Sequence, residues 1–448
     1  SSSAASDVYK RQSKYLFLFT NGEFMDYDKI YTQYMYSYPH KRAYHFTEKL
    51  ELSSFKDRFI GKEMSLYIHV PFCKSKCGYC NLFSITNVRS DEYREYIKAV
   101  KRHSKQMRSL INFENTNFNS FTLGGGTPMI LSPKDLSSLF ELARDDFNMD
   151  LQKAYSIIEG SPRQISVEKL NLLKDFSLKR LSIGVQTFID SELLTIQRAE
   201  KSADVYKALE IIKTYDFDTN IDLIYGIPKQ NEETLIFSID EALKYNPSEI
   251  FIYPLYKQVN ARLYDKFDID VQKQYKLYQI GRDYLISKGY EQLSMRSFSK
   301  NSKINANCGF EDVLSLGCGG RSYFENLHFC EKYVSEKKSC ESEYEKYLKK
   351  DDFTSEISYY ILNDDEMKRR YVIKNLLYIS GLSISDYYRH FTSDVESDFS
   401  IIANLLKEGH AQKHDDIISL TPLGMSLSDM IGPMFMSQTI QKRMNNYD

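Results

Sequence analysis

The sequence predicts an α/β protein built on a parallel sheet, a barrel or partial barrel, with a small helical domain behind it. Three observations predict this. Short β-rich runs stand at 66–70, 120–124, 155–159, 180–184, 219–224 and 249–254. Amphipathic stretches separate them, among them 91–110, 132–145 and 203–215. Strands alternating with helices argue for parallel pairing. Beyond about residue 345 the pattern changes to helix, helix, helix, hairpin, helix, which is winged-helix-like.

Side chains alternate faces along a strand, so each run has two readable faces. Tyr67 and His69 oppose Leu66, Ile68 and Val70. Thr122 and Gly124 oppose Phe121 and Leu123. Ser182, Gly184 and Gln186 oppose Leu181, Ile183 and Val185, and Asn220, Asp222 and Ile224 oppose Ile221, Leu223 and Tyr225. The apolar face suits packing against helices. The other is polar or small, whereas a filled barrel interior is bulky and branched. It therefore reads as the lining of a ligand cavity.

With 448 residues the chain has room for two or three domains at about 150 residues each. Hydrophobic residues make up 42% and charged residues 27%, the composition of a globular protein that can bury a sizeable core. A net charge of -2 gives no global field toward nucleic acid or anionic lipid. No apolar run approaches the roughly 18 residues of a membrane span. Seven cysteines, three of them clustered, argue against a disulfide framework and for a reducing, cytoplasmic setting.

Residues 1–12 lack periodicity and read as a cloning or sequencing artefact. Residues 13–62 form an N-terminal arm. It holds Tyr31, Tyr34, Tyr36, Tyr38 and Tyr44, with Lys41 and Arg42 among them. Such an arm either packs its aromatics on the main domain or closes over a flat substrate with the two cations facing carboxylates. The main domain is expected over 63–345. The acidic, Lys-rich run 341–352 reads as a linker into a C-terminal domain over 346–448. The third helix of that domain is expected over 394–407. Asp394, Glu396 and Asp398 stand near its start, where a recognition helix would meet phosphates, which argues against DNA binding.

The chemistry centres on Cys73, Cys77 and Cys80, spaced C-x3-C-x2-C. Three thiolates on one short loop suit a four-iron cluster with one iron left open. Structural zinc asks for four closed ligands, usually as two C-x2-C pairs, and no second pair exists here. Gly124-Gly125-Gly126-Thr127-Pro128 follows a strand. By itself it is a tight turn, or a loop that lets backbone approach a ligand. No Gly-Lys-Ser/Thr follows, so a nucleotide triphosphate loop is not indicated. Glu159 ends the third strand at the edge where barrel active sites sit. Asp222 falls inside a strand of Ile and Leu, and a buried aspartate is costly unless paired or hydrogen-bonded. Gln186 shares a face with Ser182 and Gly184. Arg198 is a candidate partner for it, although a lone arginine is more often at the surface. Cys308, Cys318, Cys330 and Cys340 lack ligand spacing and read as structural.

Tyr67-Ile68-His69-Val70-Pro71-Phe72-Cys73, with Cys77, Tyr79 and Cys80 after it, resembles the signature of radical S-adenosylmethionine (SAM) enzymes. The chain looks most like the branch of oxygen-independent coproporphyrinogen III oxidases and heme chaperones. Asn220 to Gln230, Leu316 to Gly320, Arg369 to Lys374 and Leu420 to Gly424 resemble that branch too. The resemblance implies a partial (β/α)6 TIM-like radical SAM barrel. It implies a [4Fe-4S] cluster on Cys73, Cys77 and Cys80, and one or two SAM molecules. It places Tyr67, Tyr79, Gly125, Gly126, Thr127, Glu159, Gln186, Arg198 and Asp222 among the SAM contacts. The implied partners are a tetrapyrrole substrate and an electron donor such as flavodoxin or ferredoxin, without nucleic acid or a membrane span. The leading activity it implies is decarboxylation of coproporphyrinogen III; the alternatives are other radical chemistry on a tetrapyrrole and a non-catalytic heme chaperone. Two features depart from the oxidases: Leu82 stands where they carry a further cysteine, and the arm continues as Pro39-His40-Lys41-Arg42. The first, in Asn81-Leu82-Phe83, sits nearer the heme-chaperone type, and the second points to a separate subfamily.

Overall fold

The computed structural model describes residues 29–44, 50–59, 63–110, 116–259, 261–301 and 312–446. The proposed artefact at 1–12 and Cys308 lie outside them.

Six parallel strands stand where the sequence places them: β1 Glu63–Val70, β2 Asn117–Gly125, β3 Tyr155–Gly160, β4 Arg180–Gln186, β5 Asp218–Tyr225 and β6 Glu249–Pro254. Helices α1 Ser90–Leu110, α2 Pro133–Asp146, α3 Val167–Asp175, α4 Ser202–Ile212, α5 Glu232–Leu243 and α6 Val271–Ser287 join or follow them. Local chemistry sets their starts. The Ser132 hydroxyl accepts from the Asp135 amide with Pro133 behind it, and Asn231 accepts from the Thr234 amide at 2.9 Å. Such caps contribute about 1 kcal/mol each.

The expected alternation is present. Leu66, Ile68, Phe121, Leu123, Leu181, Ile183, Ile221 and Leu223 are buried in the main core. Each such side chain contributes roughly 1.5–3 kcal/mol on leaving water. Ser65, Tyr67, Thr122, Glu159, Ser182 and Asp222 on the opposite face stay partly accessible. That face is turned toward the barrel interior.

The sheet extends beyond the six strands read from the sequence. A seventh parallel strand, Asp312–Leu316, pairs with β1 on the side away from β2. Antiparallel strands Ser322–Phe324, Leu327–Cys330 and Ser358–Ile361 continue that edge, and Ser297–Ser299 and Glu291–Gln292 continue the other beyond β6. The strand order is linear, so the barrel is open.

Three expectations are corrected. The run 341–352, read as a linker, is mostly helix, Lys337–Lys349. Its Glu and Lys residues hide an apolar stripe, Cys340, Tyr344 and Tyr347, at helical spacing. Tyr344 and Tyr347 pack on Tyr96 of α1. The main sheet also runs on to Ile361, so it crosses the boundary expected at 345/346. The helix expected over 394–407 is two, Val395–Asp398 and Ile401–Lys407. Phe399 leaves helical geometry between them, at φ -132°, and packs on Phe435. A hairpin of Ala411–His414 and Ile417–Leu420 follows. Among the described residues no helix is long and apolar enough to cross a membrane.

Candidate active site

The cysteine loop grows directly out of β1. Phe72–Cys73 pairs in parallel with Ile85–Thr86, which brings the chain back beside its own start. In between, the Cys80 amide donates to the Cys77 carbonyl at 3.3 Å. Gly78 donates to the Ile196 carbonyl at 3.0 Å and accepts from the Leu263 amide at 2.9 Å. A Cβ on Gly78 would fall 2.5 Å from Leu263 Cγ, so the close approach needs glycine.

The glycine loop after β2 is fastened to the same segment. Gly126 donates to the Val70 carbonyl and Thr127 to the Phe72 carbonyl, both at 2.8 Å. Gly125 sits at φ +119°, and a Cβ there would meet the His69 ring at 2.6 Å. The Thr127 hydroxyl lies 3.7 Å from the Cys73 sulfur, and Arg198 Nη1 lies 3.4 Å from the Cys77 sulfur.

Burial pushes the Cys73 thiol up to about 12 and the Cys80 thiol upward as well. Thiolates form here when strong positive charge arrives, which iron supplies. Among the described residues no three His, Cys, Asp or Glu side chains gather to hold one metal ion. A four-iron cluster asks instead for one thiolate at each of separate irons, a donor set these three cysteines fit.

Two carboxylates stand on the inner face. Glu159 Oε2 accepts from the Gly125 amide at 2.9 Å. Asp222 Oδ1 accepts from Asn220 Nδ2 at 2.8 Å, and the same amide nitrogen donates to Ser182 at 2.6 Å. Burial pushes the Glu159 carboxyl up. Burial likewise raises Asp222 to about 7, with the negative charge of Glu159 adding to it against the Asn220 hydrogen bond. A cationic ligand would supply what this pair lacks.

The remaining sequence candidates are also gathered here. A bulge between Gly184 and Gln186, with Gln186 at φ +74°, folds its amide back over Gly184. Arg198 Nη2 donates to the Gly184 carbonyl at 2.5 Å. The two side chains thus meet at Gly184, and Arg198 is buried, unlike an ordinary surface arginine. Tyr67 Oη lies 3.3 Å from His69 Nδ1. Tyr79 packs with Ile196, Ile224, Ile227, Leu255 and Leu263 in a small cluster apart from the main core.

Other groups at this mouth escaped the sequence reading. Phe251 and Tyr253 stack on the inner face of β6, centroids 5.6 Å apart. The arm lies against them: Tyr31 meets Tyr225 at 6.2 Å and Tyr34 meets Tyr253 at 6.4 Å. Tyr34 also lies over the Arg296 guanidinium at 3.8 Å, and Arg296 is ion-paired with Asp429 of the C-terminal region. Farther along, Lys41 Nζ donates to the Gly319 carbonyl at 2.7 Å, beyond the seventh strand. The arm therefore spans from the β5–β6 edge of the open barrel to the Asp312–Leu316 edge. The alternation of Phe251 and Tyr253 was the available signal for their face; nothing local signals where the arm lands.

A family model for the radical SAM superfamily matches residues 67–242. The heme chaperone HemW of Buchnera aphidicola (subsp. Acyrthosiphon pisum) is 32% identical over 264 residues, 57% of this chain and 69% of that protein. This chain belongs to the radical SAM superfamily. Its cofactors are those of the superfamily, a [4Fe-4S] cluster and SAM. The oxygen-independent coproporphyrinogen III oxidase of Escherichia coli K12 is 26% identical over 430 residues, 90% of this radical SAM chain and 93% of that protein. The solved structure of coproporphyrinogen III oxidase from Escherichia coli shares the fold, with a TM-score of 0.77 at 23% identity over 92% of this chain and 99% of that one.

Proposed function

We propose that this chain performs oxygen-independent oxidative decarboxylation of propionate side chains on a coproporphyrinogen-type tetrapyrrole. The observation that carries the reading is the arm across the barrel mouth. It brings Tyr34 beside Tyr253 and Lys41 beside Gly319, on the side of the barrel that holds the cysteine loop, Glu159 and Asp222. Rings there suit a flat macrocycle and cations suit its carboxylates. The extent of likeness supports it: oxidase matches run over 83% to 90% of this chain, whereas the HemW matches run over 57% to 60%.

In this reading Cys73, Cys77 and Cys80 would hold the cluster. Arg198, beside Cys77, offsets the negative charge gathered on the sulfurs. Gly125, Gly126 and Thr127 present backbone to SAM, Glu159 and Asp222 take its cationic groups, and Gln186, Tyr67 and Tyr79 orient it. The chemistry the bound cofactors would supply is hydrogen-atom abstraction from the propionate chain; loss of CO2 to leave a vinyl group would then pass one further electron to an external one-electron acceptor. A second reading, heme chaperoning, is favoured by Leu82, which replaces the further cysteine of the oxidases.

The test is anaerobic. The purified protein should be brown with about four irons per chain. With SAM, coproporphyrinogen III, a reductant and a one-electron acceptor it should release 5'-deoxyadenosine together with decarboxylated porphyrinogen. Cys73→Ser, Cys77→Ser or Cys80→Ser should abolish both colour and products. Release of 5'-deoxyadenosine with the substrate untouched would overturn the decarboxylase reading. Heme transfer to an apo-acceptor without SAM turnover would install the second one.

A further inference from the structure

The arm has little structure of its own. Residues 33–40 form neither helix nor strand, and only the short turn Lys41–Ala43 follows. A segment without backbone ladders takes its course from what holds it. One side meets the barrel, at Tyr225, Tyr253 and the Gly319 carbonyl. The other side is held by the C-terminal region, at two points.

The first point is the Arg296–Asp429 pair. The Gln33 amide donates to the Asp429 carbonyl at 3.2 Å, and the Tyr34 ring covers the Arg296 guanidinium. Tyr256 donates to the Asp429 carboxylate from the barrel side. Met35 then packs on Gly432, where a Cβ would fall 2.6 Å from Met35 Cγ.

The second point is a closed ring of hydrogen bonds. The Tyr38 hydroxyl donates to Glu366 Oε2, in the first turn of the helix Asp364–Leu376. The Ser437 hydroxyl donates to Glu366 Oε1 at 2.6 Å, and the Ser437 amide donates to Tyr38 Oη at 3.1 Å. Tyr38, Glu366 and Ser437 are 0%, 3% and 9% exposed. Arg370 donates to the Tyr38 carbonyl at 3.0 Å. Burial, and after it the bond to Glu366, raises the Tyr38 hydroxyl, which keeps it a donor. Apolar contact alone is non-directional and would let an arm slide. A buried carboxylate with both oxygens committed is costly in any arrangement that breaks those bonds, so it selects one.

We infer that Glu366 is a positioning residue for the barrel mouth: through Tyr38 it fixes the arm in the register that sets Tyr34 against Tyr253 and Lys41 against Gly319. Tyr38 lies between those two contacts in the chain, so a shift at Tyr38 moves both. The C-terminal region thereby acts on the mouth without touching its ligands. That role rests on the proposed function, in which the arm is one wall of the substrate site.

Arm position can be read directly on the cluster-loaded full chain, because Lys41 and Arg42 are half-buried trypsin sites. Well below the melting temperature, Tyr38→Phe and Glu366→Gln should each speed the cut after Arg42 by about tenfold, the size of one lost charge-assisted hydrogen bond. The double variant should be no faster than the faster single one, since both break the same tie. In both single variants KM for coproporphyrinogen III should rise by about tenfold while kcat changes less, as expected when a preset wall is loosened. Should Glu366→Gln fail to fold, Tyr38→Phe carries the same test, because it removes one oxygen and keeps the ring. Lower stability with wild-type cutting at Arg42 and wild-type KM would make the ring of bonds structural only and overturn the assignment, as would additive effects in the double variant. Coproporphyrinogen III left untouched by the unmodified protein would overturn the proposed function instead, and the cut after Arg42 would still report whether Glu366 holds the arm.

Discussion

Two charged groupings share the barrel interior, and they are built on opposite principles. At the floor, Arg180 and Glu249 open β4 and β6 and pair at 2.5 Å, with side chains only 5% and 2% exposed. Ser297 donates to the free side of Glu249 at 2.5 Å, and Phe251 lies above the guanidinium. Nearer the mouth, Glu159 and Asp222 put two carboxylates together, and the groups that hydrogen-bond them are an amide of the glycine loop and Asn220. The floor pair compensates itself and leaves nothing for a ligand to do. The mouth pair is hydrogen-bonded by neutral donors, and the charge of Arg180 eases its burial without cancelling it, so both carboxyls stay raised and a cation has charge to meet. Buried charge by itself does not mark a site; buried charge of one sign does.

The comparison can be broken at the floor first, where the effect is largest. Glu249→Ala leaves Arg180 buried without its partner, and losses of about 3–5 kcal/mol are typical when one member of a buried pair is removed. Chemical denaturation should report that loss, and the cluster-loaded protein that remains folded should bind SAM with wild-type affinity. A folded, fully stable Glu249→Ala protein with impaired SAM binding would put the floor pair in the site and erase the distinction.

At the mouth the pattern should invert. Asp222→Asn keeps shape and hydrogen-bonding capacity but removes the charge. SAM affinity should fall by roughly ten- to a hundredfold, about 1.4–3 kcal/mol, within the range for a charge-assisted contact. Stability should hold or rise, because an unfavourable buried carboxylate is gone. Equilibrium binding and denaturation on the same preparation separate the two effects. Unchanged affinity with lost stability would make Asp222 a structural residue like Glu249.

Both groupings contain residues that the sequence exposes to different degrees. Asp222 was legible because a carboxylate interrupts an Ile/Leu strand, and period two assigns its face. The cysteines were legible by spacing and the glycine loop by its position after a strand. Arg180 and Glu249 open strands 69 residues apart in the chain and were not, since only the barrel brings strand starts together. The same limit hid the Arg296–Asp429 pair, separated by 133 positions. Helix Lys337–Lys349 was missed because its Glu and Lys content outweighed three buried side chains. The seventh strand, Asp312–Leu316, has only five residues and little room to display alternation. Local pattern therefore gives the elements and which way their residues face, while self-compensating pairs emerge only from tertiary contact.

The mildest perturbation is pH, and it tests the mouth without any substitution. In the unliganded protein Asp222 is raised to about 7, chiefly by burial and then by Glu159. A cation binding beside it favours the ionised carboxylate and so lowers its pKa in the complex. Binding then releases a proton whenever Asp222 begins protonated. Affinity should be highest above the raised value and should fall as pH drops through it, by up to tenfold per unit, about 1.4 kcal/mol, until the lowered value of the complex is reached. Stability runs the other way. A carboxyl raised in the fold relative to its unfolded value of 3.8 costs stability as pH climbs from about 4 to about 7. Acidification through that window should therefore loosen SAM while this group firms the fold. In Asp222→Asn both slopes should flatten over the same range. Calorimetry in two buffers of different ionisation enthalpy would count the released proton directly. A wild-type affinity independent of pH between 5 and 8, with no proton released, would mean that the cation does not reach Asp222 and that the mouth pair is neutralised from within, as the floor pair is.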